Sequence, residues 1–151
     1  MSKLATSLKV VDARPEHAAH ILKELSAHSE WDGARSLDQF EKELGLSLFA
    51  HVALYDETPV AVWGVQQHHL LENDGYLWLV TTKFVEERPF LFIRYGQLIL
   101  ENIERHFNYL HCTLKVGEKA NAKWLSLLGF SPRPPIEYNG TRYARYIRRR
   151  A

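Results

Sequence analysis

Residues 76–130 contain the feature that most constrains how this chain folds. An apolar run with strand character at residues 76–82 precedes a helix-like segment at residues 88–106, and a second strand-like run follows at residues 110–116. Two neighbouring strands joined by a helix lie parallel and are connected by a right-handed crossover. The segment therefore predicts a β-α-β unit within an α/β fold.

The rest of the chain predicts further strands and helices on both sides of this unit. Turns are expected at residues 56–58 and 73–75. Hydrophobic spacing and helix-end signals predict a strand at residues 8–12, a helix from Asp12 or Arg14 to about Ala27, a helix from Ser36 to a stop at Gly45, strands at residues 48–55 and 59–67, a short helix ending at residues 128–130, and a last strand at residues 141–147 after a break at residues 132–135. The order β-α-α-β-β-β-α-β-α-β indicates an α/β fold with a mixed sheet.

Length and composition limit the class of protein. The 151 residues suit a single domain, with a core at about residues 8–147 and a basic tail at residues 148–151. No run of 18 apolar residues occurs, and the start does not resemble a signal peptide, so neither a membrane span nor secretion is expected. A single cysteine, Cys112, excludes an internal disulfide and is expected to be a buried thiol. His17 and His20 have no further ligand nearby in sequence, so we expect no metal site.

The C-terminal residues are strongly basic although the net charge of the chain is only +1. Five arginines and two tyrosines fall within residues 142–150, and such a segment can contact phosphate or an acidic protein surface. The simpler interpretation is a last strand with a solvated charged face and a frayed basic tip. We favour that interpretation and rank nucleic-acid binding lowest among the functions considered.

The segment after the second strand carries a family signature. It is an asparagine and an alanine, then bulky residues and the tripeptide Leu-Gly-Phe. With the element order, this segment resembles the Gcn5-related N-acetyltransferase (GNAT) superfamily over about residues 8–147. A Trp-x-Val-Thr-Thr strand makes it similar, more narrowly, to a group of tailed-phage proteins with an acetyltransferase-like fold that are described as internal virion proteins. The matching residues are Asn121, Ala122, Trp124, Leu128, Gly129 and Phe130, with Trp78, Val80, Thr81 and Thr82 in the strand.

The resemblance implies acetyl-coenzyme A as a substrate, with no metal. In this family the two central strands splay apart, and the pantetheine arm bonds to the freed backbone like an added strand. The pyrophosphate lies at the N-terminus of the following helix, where free N–H groups favour anions. Asn121 is explained equally well as a helix cap, and Trp124 fits a core position better than a ligand contact. The resemblance places the cofactor-binding positions at Val80, Thr81, Thr82, Arg88, Phe90, Asn121 and Trp124.

The expected phosphate loop departs from the family pattern. The family reads Arg/Gln-x-x-Gly-x-Gly/Ala, whereas residues 83–92 of this chain contain no glycine. Glycine lets backbone approach a phosphate closely, and Pro89 removes one N–H donor. Glu86 and Glu87 add negative charge, which Lys83, Arg88 and Arg94 can offset. These departures weaken the inference that the chain binds coenzyme A, and they leave binding and its absence as two open alternatives, because a helix N-terminus is an anion site even without glycines.

The catalytic acid and base are less clear from the sequence. Many family members carry a tyrosine four residues before the glycine of Leu-Gly-Phe, and Leu125 stands there in this chain. Leucine cannot protonate a leaving thiolate. Candidates for the general base are His111, His68, His69 and Glu72, and a surface or hydrogen-bonded role also explains each of them.

Two functions follow from the resemblance. The first is a phage-encoded, acetyl-CoA-dependent N-acetyltransferase whose acceptor is an amine of a protein or small molecule. The alternative is a catalytically inactive internal virion or host-interaction protein of a tailed phage, whose partner is a phage or host protein. In both cases the expected location is the host cytoplasm, with packaging into the virion for the second.

Overall fold

The computed structural model describes residues 8–26, 37–68, 71–115 and 125–149. The chain divides into two compact units. The first, called here the N-terminal unit, consists of Met1–Gln66 and Leu79–Glu87. The second, the C-terminal unit, consists of Gln67–Trp78 and Arg88–Ala151. The prediction of a single domain stays a prediction.

The N-terminal unit is built on an antiparallel arrangement of consecutive strands. Its second and third strands form a hairpin whose two turn residues, Asp56 and Glu57, have φ of 48° and 67°. Two consecutive residues with positive φ make the hairpin turn that matches strand twist. Its elements are β1 (Leu8–Asp12), α1 (Pro15–Ser26), α2 (Leu37–Leu46), β2 (Ser47–Tyr55), β3 (Thr58–Gln66) and α3 (Lys83–Glu86).

The C-terminal unit contains the predicted β-α-β unit. The next strand, β4, starts in this unit at Asp74 and ends in the N-terminal unit at Thr81. In hydrogen-bonded order the strands run β1-β2-β3-β4-β5-β7-β6, and β4 and β5 are parallel, which confirms the mixed sheet. The elements are β4 (Asp74–Thr81), α4 (Pro89–Ile103), β5 (Tyr109–Lys115), β6 (Ser131–Tyr138) and β7 (Thr141–Arg149).

Several predicted boundaries need correction. The last strand does not end at residue 147, because β7 includes Arg148 and Arg149, which were predicted to belong to a basic tail. The turn expected at residues 73–75 is wrong, because Asp74 and Gly75 already belong to β4 and pair with β5. Gly45 does not stop α2, which continues to Leu46 and passes directly into β2. The long helix ends at Ile103 rather than at residue 106. The predicted cap at Ser36 lies outside the described residues.

The break predicted at residues 132–135 is also wrong, because this segment is the strand β6. Proline is tolerated on an edge strand, where one row of backbone groups faces solvent, and β6 is the edge strand of the sheet. The pairing with β7 shifts register between Arg133 and Ile136, at the prolines. The turn that joins the two strands is Asn139-Gly140, with φ of 50° and 76°. This dipeptide is a strong hairpin signal that the sequence analysis missed.

The Leu-Gly-Phe tripeptide ends the helical turn at residues 125–127. The N–H of Phe130 donates to the carbonyl of Leu125 (2.9 Å), and the N–H of Gly129 donates to the carbonyl of Ser126 (3.1 Å). With φ of +86° at Gly129, these bonds form a Schellman motif. Leu125 and Phe130, the hydrophobic pair that accompanies this motif, are both buried. The signature therefore has a structural cause that is independent of catalysis.

Candidate functional site

The parallel ladder between β4 and β5 is short. It pairs Asp74 with Tyr109, Gly75 with Leu110, and Tyr76 with His111. Both strands continue past the last of these pairs, and β5 stays paired with β7 as far as Lys115. Within the C-terminal unit, residues 77–78 and 112–113 therefore extend beyond the last rung that the two strands share. Tyr76 and His111 mark the point where the ladder ends.

His111 is held by a carboxylate at this point. Its Nε2 lies 2.8 Å from Oδ2 of Asp74, and the two side chains are 31% and 33% exposed. A carboxylate only accepts, so Nε2 carries the proton and donates it to this bond. In the neutral imidazole the other ring nitrogen, Nδ1, then has the lone pair that a general base requires.

Three rings stack next to this pair. Tyr76 packs on His111 with ring centroids 4.9 Å apart and 17° between planes, and His68 packs on Tyr76 at 3.8 Å and 6°. Stacking on one side and the bond to Asp74 together restrict how the imidazole of His111 can rotate. The structure thus orients this base candidate before any substrate binds.

Glu72 completes the cluster around Tyr76. Burial raises the pKa of Tyr76, and the nearby charge of Glu72, its hydrogen bond to Tyr76 and the charge of Asp74 raise the pKa further. The Tyr76 hydroxyl therefore stays protonated and donates to the carboxylate. Oε1 of Glu72 is buried without a hydrogen-bond partner in the described part of the chain, and Gln67 Nε2 donates to the Glu72 backbone carbonyl at 2.6 Å.

The structure thus brings together three of the predicted base candidates, His111, His68 and Glu72, and the fourth, His69, lies outside the described residues. Sequence reasoning missed Asp74, which it had assigned to a turn, and Tyr76, which it had counted as part of an apolar strand. Two-residue spacing on a strand puts Asp74 and Tyr76 on one face. That spacing was the available signal, and the incorrect turn assignment concealed it.

The predicted cofactor contacts at the end of β4 lie in the N-terminal unit. Thr81 and Thr82 are buried, and Val80 is half-buried. The backbone N–H and the hydroxyl of Thr82 both donate to the carbonyl of Val60, at 3.0 and 2.7 Å. The carbonyl of Thr82 accepts from Val85 at 3.1 Å. Thr82 therefore uses both of its donors to fix α3 to β3, and has no donor to spare for a cofactor.

The start of α4 has fewer features of a phosphate site than the family pattern. Arg88 is the N-cap residue without a side-chain capping bond, and Pro89 is in the first turn. Phe90 is 90% exposed, so it fills no cavity. Within the N-terminal unit, Lys83 Nζ lies 3.9 Å from Oε1 of Glu87 and offsets part of its charge. Asn121 and Trp124 lie outside the described residues.

The remaining expectations concern Leu125, the cysteine, metals and membranes. Leu125 is 2% exposed and packs in the core, and Cys112 is 3% exposed, as predicted for a buried thiol. Among the described residues, no group of three or more His, Cys, Asp or Glu side chains is placed to hold a metal ion. The helices in that same part of the chain are each too short or too polar to cross a membrane.

Comparisons with known proteins agree on one fold. No protein-family model matches the chain, and no curated protein does. Solved structures do match. A RimL ribosomal L7/L12 alpha-N-protein acetyltransferase in complex with coenzyme A has a TM-score of 0.71 at 12% identity, over 97% of this chain and 96% of that one. A ribosomal-protein-S5-alanine acetyltransferase from Vibrio fischeri has a TM-score of 0.70 at 12% identity, over 95% and 93%.

A third neighbour is named for the family itself. The acetyltransferase of the GNAT family from Streptococcus pneumoniae has a TM-score of 0.64 at 13% identity, over 94% of this chain and 98% of that one. At these low sequence identities, the similarity of structure shows the fold and not the activity. The chain therefore has the Gcn5-related N-acetyltransferase fold, as the strand order and the Leu-Gly-Phe turn predicted.

Proposed function

We propose that this protein is an acetyl-CoA-dependent N-acetyltransferase with His111 as its general base. The observation that carries the proposal is the end of the β4–β5 ladder, where the last pair includes a histidine bonded to Asp74. In a fold of this type, a pantetheine arm can bond beside the end of such a ladder as an added strand. In this proposal, the acetyl group at the tip of that arm meets the acceptor amine beside the imidazole of His111.

The reaction needs one proton to leave the acceptor and one to reach the thiolate. The amine nitrogen attacks the thioester carbonyl, Nδ1 of His111 takes the amine proton, and the carbon–sulfur bond then breaks. Asp74 stabilises the resulting imidazolium, since its carboxylate lies 2.8 Å from Nε2. Leu125 offers no proton to the thiolate, so solvent supplies it. Positioning therefore carries more of the catalysis than acid–base chemistry.

Coenzyme A binding is proposed to be weaker than in family members with a glycine-rich loop. The loop at residues 83–88 lacks glycine, Pro89 removes a donor, and both donors of Thr82 are already bonded to Val60. The N-terminus of α4 still favours an anion, and Arg88 adds positive charge there. The coenzyme A complex of the RimL neighbour supports this type of ligand.

The acceptor and the biological setting remain part of the proposal. Neighbours named as alpha-N-protein and ribosomal-protein-alanine acetyltransferases favour an amine on a protein. We further propose a phage-encoded protein that acts in the host cytoplasm. The buried Leu125 and the poor phosphate loop favour the second candidate, a catalytically inactive phage virion or host-interaction protein that keeps the fold.

Calorimetric titration with acetyl-CoA, together with a thiol-release assay, separates the two candidates. Ligand that binds the native state raises its melting temperature by mass action. We expect binding, slow thiol release with amine acceptors, and a loss of about 100-fold or more in turnover for His111→Ala. The control His20→Ala changes a half-exposed histidine of α1 and should leave turnover unchanged.

Binding without turnover in the wild type would favour the inactive protein. Absence of binding at millimolar acetyl-CoA would end the transferase proposal. Equal turnover for wild type and His111→Ala would keep the enzyme but remove His111 as its base.

A further inference from the structure

One face of the C-terminal unit carries His111 together with its partners. Side chains directly opposite each other on paired strands point to the same face. Asp74, Tyr76 and His111 therefore share a face, called here the His111 face. Leu110 and Cys112 alternate to the other side and are 1% and 3% exposed. Thr113, on the His111 face, is exposed.

The opposite face of the same strands packs against α4. Arg148 of β7 is on that side, where its Nε lies 3.2 Å from Oε2 of Glu104 and its Nη1 donates to the carbonyl of Leu128. Gln97 of α4 lies 3.5 Å from the same nitrogen. The basic C-terminal segment is thus divided, with Arg148 turned inward and its neighbours in sequence turned to the His111 face.

Three arginines lie on the His111 face around the histidine. On β7, Ile147 is opposite His111, and Arg145 and Arg149 stand two residues to either side of it. Strand geometry puts the Cα atoms of both arginines roughly 8 Å from that of His111. Arg133 of β6 is opposite Arg145 and extends the positive charge outward.

These charges have little structural justification. Like charges directly opposite each other destabilise a strand pair, yet Arg133 and Arg145 are such a pair. Nε of Arg145 donates to the carbonyl of Pro134 at 2.7 Å, and this bond holds its side chain in place. Arg133 and Arg149 are exposed. An anionic ligand beside His111 would pair with these exposed cations.

We infer that the acceptor is the amino end of an acidic polypeptide, whose carboxylates bind Arg133, Arg145 and Arg149 while its amine meets His111. This inference rests on the proposed function. The surface has two charged ends, since Glu72 and Asp74 lie beside the histidine and the arginines lie beyond it. An amine followed by acidic side chains matches both ends in one molecule. A uniformly anionic polymer such as nucleic acid matches only the arginines.

Paired peptides test the inference. They share the same first residue and differ in having aspartate or asparagine at the second to fourth positions. At low salt, kcat/KM for acetylation should favour the acidic peptide by about tenfold, from a few exposed charge pairs. The double variant Arg133→Glu/Arg149→Glu should remove or reverse this preference. The control Arg142→Glu changes an exposed arginine on the opposite face of β7 and should preserve the preference.

Equal kcat/KM for the two peptides would overturn the inference. Loss of the preference for the acidic peptide in Arg142→Glu as well would also overturn it. Fluorescence anisotropy of the labelled peptides separates it from the proposed function. Salt-sensitive binding of the acidic peptide that depends on Arg133 and Arg149, without turnover, supports the surface and contradicts the transferase. A competition experiment tests nucleic acid as the ligand. If a single-stranded oligonucleotide of equal charge displaces the labelled acidic peptide at a lower concentration than the unlabelled peptide does, the arginines bind nucleic acid instead.

Discussion

Arg148 supports a prediction about stability that can be worked out from its contacts. Arg148 and Glu104 form an ion pair in which each side chain is only 13% exposed. The arginine also donates to the carbonyl of Leu128, which lies at the end of the helical turn before Gly129. Substitution by methionine keeps the aliphatic volume of the side chain and removes the charge and every donor.

The expected loss in the free energy of unfolding follows from the charge of Glu104, which stays buried after Arg148 is replaced. Removing one partner of a buried ion pair costs about 3–5 kcal/mol, because the other charge stays buried without compensation. The residual exposure of Glu104 puts Arg148→Met at the low end of this range, and the lost bond to the Leu128 carbonyl adds roughly 1 kcal/mol. We therefore expect a loss of about 4 kcal/mol. The double variant Arg148→Met/Glu104→Leu should recover most of it, since an apolar pair replaces a buried ion pair at little net cost.

Urea unfolding monitored by circular dichroism measures both values, and the melting temperature should fall by roughly 10 °C for the single variant. Arg142→Met, at an exposed position of the same strand, serves as the control and should stay within about 0.5 kcal/mol of wild type. A single-variant cost below about 1 kcal/mol would refute the argument that Arg148 compensates a buried charge. A double variant as unstable as the single one would refute it as well.

Three further predictions concern the site and the Leu-Gly-Phe turn. Asp74→Asn should lower kcat by about 100-fold or more with unchanged acetyl-CoA affinity, because an amide that donates to Nε2 moves the proton of His111 to Nδ1; an unchanged kcat would exclude this role. The tyrosinate absorbance of Tyr76, identified as the part that Tyr76→Phe removes, should appear only above about pH 10. Because the pKa of Tyr76 is higher in the folded than in the unfolded state, the wild type should lose more stability than Tyr76→Phe as the pH rises further. Equal losses of stability in the two proteins would contradict this. Gly129→Ala should cost about 2 kcal/mol, since the residue has positive φ and its new Cβ would lie 3.3 Å from Nη1 of Arg148. Gly140→Ala, with a similar φ and open space around it, should cost less in the same unfolding experiment.

The fold was largely predictable because its main signals are local. Alternating and helical hydrophobic spacing located the strand at residues 8–12 and the helix beginning at Pro15, and the helix between two strands predicted the parallel pair. The errors fall where tertiary pairing overrides local preference. Asp74 and Gly75 read as a turn, but they are in a strand because Tyr109 and Leu110 pair with them.

The prolines of β6 are a second case in which the position in the sheet overrides a local signal. A proline-rich segment predicts a break, and only its position at the edge of the sheet lets it form a strand. Nothing in the local sequence tells an edge strand from a loop. The Asn139-Gly140 turn was readable, and with it the hairpin would have been predicted.

The site was predictable only in part. The residue types needed for a base pointed to His111, His68 and Glu72, which the structure brings together. Their common neighbour, Tyr76, has an ordinary strand residue type, so its importance depends on ring contacts that sequence spacing does not reveal. The inward side chain of Arg148 is similar, since a run of arginines predicts a solvated surface and the buried carboxylate of Glu104 comes from a distant helix end.

The place of β7 in the sheet has a consequence for how the C-terminal unit assembles. β7 follows β6 in sequence, yet it lies between β5 and β6. During synthesis, β5 therefore leaves the ribosome well before the strand that pairs with its outer edge. Until the hairpin of β6 and β7 docks, that edge is unprotected and can pair with other chains. A stalled or truncated chain that lacks β7 should therefore aggregate through β5, even though its N-terminal strands are already paired.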